Sequence, residues 1–353
     1  MRPLRAAAAF ALLVSCRHAE SDPRLQVPMV TDEADAVLAI LEERAGGRAP
    51  TESDWQRLFS SEGYRRLKER EASLQRGFED TSFKEFVLSA DLLARRDALA
   101  RTLAEWVRVD PAAAARRAFS YLPESAVIRA RVYPAIKPKT NSFVFEPRTN
   151  PTIFLYLDPK VTPVKLENTL THELHHIGVG SVCPEEPAAA ALPENVRTAL
   201  AWMSGFAEGR AVLAAAGGPD VHPHAASEPP ERSVWERDFA KVREDLPRLE
   251  SFFTAILDGK LGEEETNRQG MSFVSTDEIP QGAYYTVGWL MSATVERELG
   301  RKRLVASICD PAMFFRDYDR AARQQARARG SSLPLWSDRF LGRLPAERSG
   351  KSG

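Results

Sequence analysis

The sequence predicts an α+β fold that is predominantly helical, with a small sheet beside one central helix. Two observations lead to this prediction. Apolar residues recur at helical spacing through most of the chain, whereas β-branched and aromatic residues concentrate between positions 127 and 157. A chain of 353 residues can also bury a hydrophobic core of normal size.

Composition and charge narrow the class of protein. Hydrophobic residues make up 43% of the chain and charged residues 27%, which are ordinary values for a globular protein. Lys and Arg number 48 against 49 Asp and Glu, so the net charge is −1. Because this balance produces no broad basic surface, we do not expect nucleic acid as a partner.

The first residues have the features of a secretory signal, which we assign to residues 1–15. Arg2 and Arg5 precede an apolar run at positions 6–14, which is too short to cross a bilayer. The run leads into Leu-Val-Ser-Cys, which resembles the bacterial lipobox and ends at Cys16.

This resemblance implies cleavage before Cys16, lipid on its thiol and export to the bacterial cell envelope. Residues 16–30 would then be a lipidated cysteine with a polar tether, anchored to a membrane. Arg17 in place of Asp favours the outer membrane by analogy. The alternative is an ordinary signal peptide with an incidental cysteine. Cys183 and Cys309 would then either pair in an oxidising compartment or remain two buried thiols.

Residues 31–123 form the predicted N-terminal helical region. The apolar residues between positions 37 and 41 predict a short helix that ends near Gly46-Gly47. A charged amphipathic stretch follows at 53–77, and Asp110-Pro111 has the features of a further helix start.

Strands are expected next, at 127–133, 142–145 and 152–157, where β-branched and aromatic residues lie between turn signals. Helical patterns then occur at 163–178, 194–216, 231–258, 283–299 and 311–328. The glycine- and proline-rich segment 217–230 is expected to be a loop, and the tail at 345–353 is expected to be disordered.

The helix after the sheet contains the most specific motif of the chain. Thr162 and Pro163 form a helix start, and Gly178 and Gly180 supply a predicted stop. Between them, Thr-His-Glu-Leu-His-His at 171–176 contains H-E-x-x-H.

This spacing is typical of a zinc site. Residues four apart share a helix face, so His172 and His176 present two imidazoles to one ion. Glu173 lies about 100° around the helix axis and can take a proton from a water that zinc activates. His175 could replace His176 as a ligand, but Glu173 would then be poorly placed. We therefore expect His175 to play a supporting role, hydrogen-bonded to a carboxylate or carbonyl. The opposite face of this helix is apolar and suits a core: Leu166, Leu170, Leu174 and Ile177.

A catalytic zinc needs a third protein ligand. The metzincin pattern would require Gly at 179 and His at 182, and both are Val. We favour Glu208, because its predicted helix face otherwise carries small residues and could approach the metal helix closely: Ala201, Ser204, Gly205, Ala211, Val212 and Ala215. The competing residues are Glu185, Glu186, Glu194, His222 and His224.

A phenol commonly helps to stabilise the oxyanion in such sites. Two tyrosines open the helix at 283–299, and we choose Tyr285 before Tyr284 for this role. The alternative is that both rings only pack in the core.

With these residues the chain resembles a gluzincin metallopeptidase. The segments 55–64, 172–178, 206–209 and 284–288 also resemble an uncharacterised bacterial family of zinc-dependent peptidases. By this analogy the third ligand is the Glu of Glu208-Gly209. The strand at 152–157 is similar to the edge strand that lines the zincin substrate cleft. Residues 124–344 would then form a zincin-like catalytic region with Zn²⁺ as cofactor and a peptide or protein as substrate.

Two departures from the better-known gluzincins leave the substrate class open. No acidic residue follows Glu208 four positions later, where Val212 stands, and exopeptidase motifs are not evident. The alternatives to a peptidase are a zinc amidase acting on another amide and a non-catalytic zinc-binding lipoprotein. The last would be favoured by a fourth protein ligand such as Cys183 or His224.

Overall fold

The computed structural model describes residues 22–183, 191–276, 278–330 and 332–346. Cys16, Glu185, Glu186 and residues 347–353 of the tail lie outside these ranges. The described chain is mostly helical with one two-stranded and one three-stranded sheet, which confirms the predicted fold class. No helix in these ranges is long and apolar enough to cross a membrane.

Sixteen helices and five strands form the described chain. The helices are α1 (Asp32–Ala45), α2 (Glu52–Ser60), α3 (Glu62–Ser73), α4 (Asp80–Val87), α5 (Ala90–Trp106), α6 (Pro111–Phe119), α7 (Pro163–Val182), α8 (Glu194–Met203), α9 (Ala207–Ala216), α10 (Pro229–Phe239), α11 (Val242–Leu257), α12 (Glu263–Ser272), α13 (Ala283–Leu299), α14 (Arg301–Ala306), α15 (Pro311–Arg329) and α16 (Asp338–Leu341). The strands are β1 (Leu25–Gln26), β2 (Ile128–Arg129), β3 (Arg131–Ala135), β4 (Phe143–Phe145) and β5 (Thr152–Tyr156).

The sheets correct two expectations. The segment at 127–133 is divided between β2, which pairs with β1, and β3, which belongs to the second sheet. In that second sheet the strand order is β3-β5-β4, so β5 is the central strand and β4 is an edge strand. The residues of β5 are almost fully buried, which favours neighbours on both sides, whereas β4 is only partly buried.

The helical segment at 53–77 is also divided. Ser61 adopts an extended conformation, and its hydroxyl accepts a hydrogen bond from the Tyr64 N–H at the start of α3. The helices α12 and α14 were not predicted. The sequence of α12 is too polar to show an apolar face, and α14 is short.

Two hydrophobic clusters dominate the core. The first contains the buried side chains of α1, α5, the β-strands and the apolar face of α7. The second contains those of α8, α9, α11, α13 and α15. The helix with the H-E-x-x-H motif therefore packs in one cluster, while the helices with Glu208 and Tyr285 pack in the other.

The start of α7 is as predicted, but its end is not. The Thr162 side chain accepts from the Lys165 N–H, and Pro163 occupies the first turn. The helix continues through Gly178 and Gly180 to Val182. A Cβ on Gly178 would lie 2.2 Å from a methyl group of Leu122, so this glycine serves close packing and is not a helix stop.

The segment at 194–216 is not one helix. A 3-10 turn at Ser204–Phe206 separates α8 from α9. Ala201 and Ser204 are exposed and do not share the face of Glu208, as the sequence had suggested. Only the part of the predicted small-residue face that lies on α9 is buried: Ala211, Val212 and Ala215.

Candidate metal centre

Three side-chain atoms of the types that bind metal ions, from α7 and α9, lie close together. His172 Nε2 lies 3.2 Å and His176 Nε2 lies 3.3 Å from Oε2 of Glu208. The two Nε2 atoms lie 3.1 Å apart. Donors bonded tetrahedrally to zinc at 2.0–2.1 Å are separated by about 3.3 Å. The three atoms therefore have the spacing of three corners of a zinc tetrahedron.

Hydrogen bonds alone cannot satisfy all three of these atoms at once. If both imidazoles donate to Glu208, two N–H groups face each other across 3.1 Å. If His176 donates to His172 instead, Nε2 of His172 carries no hydrogen. Its lone pair then faces the lone pair of the Glu208 oxygen. A cation equidistant from all three atoms removes this conflict. The donor set of two imidazoles and one carboxylate therefore fits a zinc ion.

The electrostatics of the metal-free site follow from its burial. Burial disfavours the charged form of His176, but the Glu208 carboxylate outweighs this effect and raises the pKa of His176 to about 9. Burial likewise acts against the Glu208 carboxylate, yet the two imidazoles hold the pKa of Glu208 well below its usual value. Glu208 is therefore ionised at neutral pH, as a metal ligand must be.

A cavity of about 470 Å³ opens beside the three donors. Its walls include Glu173, which extends from α7 next to His172, and Tyr285 from α13. This volume lies in the range of small-molecule and cofactor sites. The site therefore combines three donors, a carboxylate and a phenol around one open space.

The two tyrosines occupy different environments. The Tyr285 ring stacks at 6.3 Å from the His172 ring, and burial, with a contribution from Glu208, raises the pKa of its phenol. Tyr284 is fully buried against Phe206 and Phe273, and its hydroxyl has no hydrogen-bond partner among the described residues. Only Tyr285 faces the cavity.

The helices α7 and α9 are both attached to the segment at 307–309. The end of α7 is joined to it by the disulfide between Cys183 and Cys309, which resolves the question left open for these cysteines. From α9, buried Arg210 donates to the backbone oxygen of Ser307 at 3.2 Å. At the other end of both helices, Arg117 of α6 donates to Asn168 of α7 and to the backbone oxygen of Ala215 in α9.

The three remaining candidates that the structure describes lie away from these donors. Glu194 is exposed at the start of α8, and Nε2 of His222 lies 3.9 Å from Oε1 of Glu236. His224 contacts the Ser227 hydroxyl, and its ring is tilted by 35° against the Trp235 ring. Within the described ranges, only His172, His176 and Glu208 form a group of three that could hold a metal ion.

His175 is separate from this group. It is buried, and burial lowers its pKa, with an opposing effect from a hydrogen bond to the Tyr121 backbone. The Nδ1 atom has no partner within the described chain.

One wall of the cavity, opposite α7, was not predicted from the sequence. It consists of the edge strand β4 and the loop after it, with Phe143, Val144, Pro147 and Arg148. The local sequence contains no sign of this role, because the contact with α7 depends on how the sheet packs.

One comparison with known proteins identifies the family. A family model described as "Putative zinc dependent peptidase (DUF5700)" matches residues 55–327, which is more than three quarters of the chain. The chain belongs to the DUF5700 family. Neither the curated proteins nor the solved structures contain a match. The matched span of the DUF5700 family includes α7, α9 and α13, and therefore every residue of the site described above.

Proposed function

We propose that the protein is a gluzincin-like zinc peptidase in which His172, His176 and Glu208 bind Zn²⁺ and Glu173 is the general base. The main support is the triangle of ligand atoms, with sides of 3.1–3.3 Å, at the edge of a cavity that also contains Glu173. Membership of the DUF5700 family supports the same class of function.

Each residue has a distinct chemical task in this proposal. Bound zinc would lower the pKa of the attacking water and polarise the scissile carbonyl. Glu173 accepts the proton of that water and then passes it to the leaving amine. The Tyr285 phenol donates a hydrogen bond to the oxygen on which negative charge develops.

A non-catalytic zinc site would require four protein ligands. The two residues that the sequence suggested as a fourth ligand have other partners, Cys183 in the disulfide and His224 with Ser227. The described part of the chain thus offers three donors and a cavity, which favours an open coordination position. A zinc amidase acting on a non-peptide amide would use the same residues, and the choice of substrates in the assay separates it from a peptidase.

We also propose that the protein is exported and anchored at the bacterial cell envelope, in the outer membrane, through lipid on Cys16. The sequence before Cys16 supports this, and so does a disulfide, which persists in oxidising compartments. The test is incorporation of radiolabelled palmitate in cells. The wild type is expected to be labelled and Cys16→Ser is not; equal labelling of both would contradict the proposal.

Substitution of the base tests the catalytic proposal. The purified full-length wild type and Glu173→Gln are incubated with a peptide library, and their zinc content is measured by mass spectrometry. We expect hydrolysis by Glu173→Gln to fall at least about 100-fold while zinc is retained, because the amide cannot accept the proton. Glu194→Gln, which removes an exposed carboxylate outside the site, is expected to behave as the wild type. Parental activity in Glu173→Gln would refute the mechanism.

A further inference from the structure

The helices α7 and α9 carry the proposed zinc ligands, yet they pack in different parts of the core. The apolar face of α7 belongs to the first hydrophobic cluster, and Leu213 and Ala214 of α9 belong to the second. Zinc binds nitrogen and carboxylate donors within a narrow range of distances, about 2.0–2.2 Å. Helix geometry fixes His172 and His176 relative to each other, but the position of Glu208 depends on how α9 lies against α7. Contacts that fix the two helices against each other therefore affect the metal site.

Arg117 of α6 makes contacts of this kind. Its Nη1 donates to Oδ1 of Asn168 in α7 at 2.8 Å and to the backbone oxygen of Ala215 in α9 at 3.2 Å. Its Nη2 donates to the carboxylate of Glu167, also in α7. One half-buried guanidinium thus joins both helices, and its planar fork fixes the directions of these hydrogen bonds.

Both acceptors of Nη1 lie on the helix faces that carry the proposed ligands. Asn168 precedes His172 by four residues, and residues four apart share a helix face. Ala215 follows Glu208 by seven residues, which is close to two full turns of α9. At about 1.5 Å per residue, the bridge lies about 6 Å along α7 from His172 and about 10 Å along α9 from Glu208. Arg117 therefore joins the two helices close to the metal site.

The contact with α9 uses a group that the helix leaves without a partner. The last four carbonyl groups of an α-helix accept no hydrogen bond within it, and Ala215 is the second-last residue of α9. The negative end of the helix dipole lies at the same place and favours a cation. The Arg117 guanidinium satisfies both the carbonyl and the dipole, so the contact is expected to be well defined.

A second attachment holds the same two helices. Buried Arg210 of α9 donates to the backbone oxygen of Ser307 at 3.2 Å, and Cys309, two residues later, forms the disulfide with Cys183 at the end of α7. Along α7, the two histidines of the proposed site lie between this disulfide and the contact with Arg117. With a single attachment the helices could pivot, whereas two attachments at different points restrict both their separation and their angle.

We propose that Arg117 is a positioning residue that holds Glu208 at the distance from the two histidines at which one zinc ion can bind all three. The inference rests on the proposed zinc-peptidase function and adds to it a residue that does not line the cavity. Arg117 acts through Asn168 and Ala215 and contacts neither the metal nor the substrate. Its loss should therefore weaken zinc binding in a protein that remains folded.

The zinc affinity of the full-length protein tests the proposal. Dissociation constants are measured by competition with a chromophoric chelator, at a temperature at which circular dichroism shows that the metal-free protein is folded. Arg117→Gln is expected to raise the dissociation constant about ten-fold or more, since residues that orient metal ligands typically change metal affinity by about 10- to 100-fold. Arg117→Lys keeps the charge but loses the planar fork, and is expected to recover part of the affinity.

The neighbouring arginine provides a matched control. Arg116 is exposed and pairs with Asp110, at the start of its own helix. Arg116→Gln removes the same charge from the same helix and leaves the bridge between α7 and α9 intact. It is expected to bind zinc with the affinity of the wild type.

Two further measurements distinguish positioning from a general effect on folding. The visible spectrum of bound cobalt(II) depends on coordination geometry, so it should differ from the wild type in Arg117→Gln and not in Arg116→Gln. Asn168→Ala removes one acceptor of the Arg117 guanidinium. The effects of Arg117→Gln and Asn168→Ala on zinc affinity should therefore be less than additive in the double variant.

The outcomes separate this inference from the function beneath it. Wild-type zinc affinity and cobalt spectrum in folded Arg117→Gln, or additive effects in the double variant, would overturn the role of Arg117 alone. If Arg117→Gln does not fold, wild-type affinity in both Arg117→Lys and Asn168→Ala would overturn it. A wild type that binds no zinc would overturn the proposed function and the inference with it. A wild type that binds zinc but cleaves no peptide would overturn the peptidase activity and not the role of Arg117.

Discussion

Gly209 lies directly against Gly288, so that the backbones of α9 and α13 are in contact. A Cβ on Gly209 would come within 2.1 Å of the Gly288 carbonyl carbon, whereas a Cβ on Gly288 would lie 3.1 Å from the Gly209 Cα. Glu208 precedes the first glycine, and Tyr285 lies one turn before the second. The close crossing of the two helices therefore places the Glu208 carboxylate and the Tyr285 phenol on the same cavity.

Adding a methyl group at this crossing should separate the two helices. We expect Gly209→Ala to reduce the free energy of unfolding by about 3 kcal/mol and to lower zinc affinity, because backbone atoms must move. Gly288→Ala should cost less, since its Cβ contacts are longer. Urea unfolding and zinc titration measure both effects. Gly218→Ala, where a Cβ would meet nothing within 4 Å, is the matched control. Equal stabilities of Gly209→Ala and Gly218→Ala would contradict this account.

Removal of the hydroxyl group should affect catalysis at Tyr285 but not at Tyr284. Tyr285→Phe is expected to lower kcat about 100-fold with a smaller change in KM, because its phenol faces the cavity and can stabilise the oxyanion. Tyr284→Phe is expected to leave kcat unchanged and to be as stable as the wild type or more so, since its buried hydroxyl has no partner in the described chain. Steady-state kinetics decide this. A loss of kcat in Tyr284→Phe, or none in Tyr285→Phe, would show that the assignment is wrong.

The sequence predicted those parts of the site that depend on local periodicity. The i, i+4 spacing of His172 and His176 determines their common face, and Thr162-Pro163 determines where α7 begins. The approach of Glu208 was inferred from small neighbours, and α9 does lie beside α7. The predicted face is only partly formed, because the 3-10 turn at 204–206 removes Ala201 and Ser204 from it.

The features that were missed depend on contacts between distant parts of the chain. Glycine often ends a helix, but Gly178 lies inside α7, where it packs closely against Leu122. The position of β5 in the sheet depends on its pairing with both β3 and β4. The loop at 146–151 takes its shape from Arg66, about eighty residues earlier, and no local pattern indicates that contact.

The disulfide should stabilise the fold and its loss should be measurable. Cys183 and Cys309 are separated by 126 residues, so the bond restricts the unfolded chain considerably. We expect Cys309→Ser, or reduction by dithiothreitol, to lower the free energy of unfolding by about 2–4 kcal/mol. The reductant should have no further effect on a variant that lacks both cysteines. A wild type whose unfolding is unaffected by the reductant would contradict the prediction.

Buried Glu33 should make stability depend on pH. Burial raises its pKa to about 8, although the Ile136 N–H, which donates to its carboxylate, opposes this. The pKa is higher in the folded than in the unfolded chain. Glu33 therefore costs no stability at or below pH 4.5, and its cost grows as the pH rises toward 8.

Glu33→Gln removes this titration. A difference of one in pKa corresponds to about 1.4 kcal/mol, so the variant should gain stability relative to the wild type by up to several kcal/mol between pH 5 and pH 8.5. Urea unfolding at both pH values measures the gain. Burial lowers the pKa of Lys137 to about 8 and the Glu33 carboxylate opposes this, so the measured difference also contains the effect of Glu33 on the titration of Lys137. A stability difference that does not change with pH would refute the prediction.

The central claim is that Glu208 shares one zinc ion with His172 and His176. Its most direct test is the zinc content of the purified wild type, Glu208→Gln and Glu194→Gln after dialysis against a weak chelator. The expected result is one zinc per chain in the wild type and in Glu194→Gln, and little or none in Glu208→Gln. A wild type without zinc, or Glu208→Gln that retains zinc as tightly as the wild type, would contradict the claim.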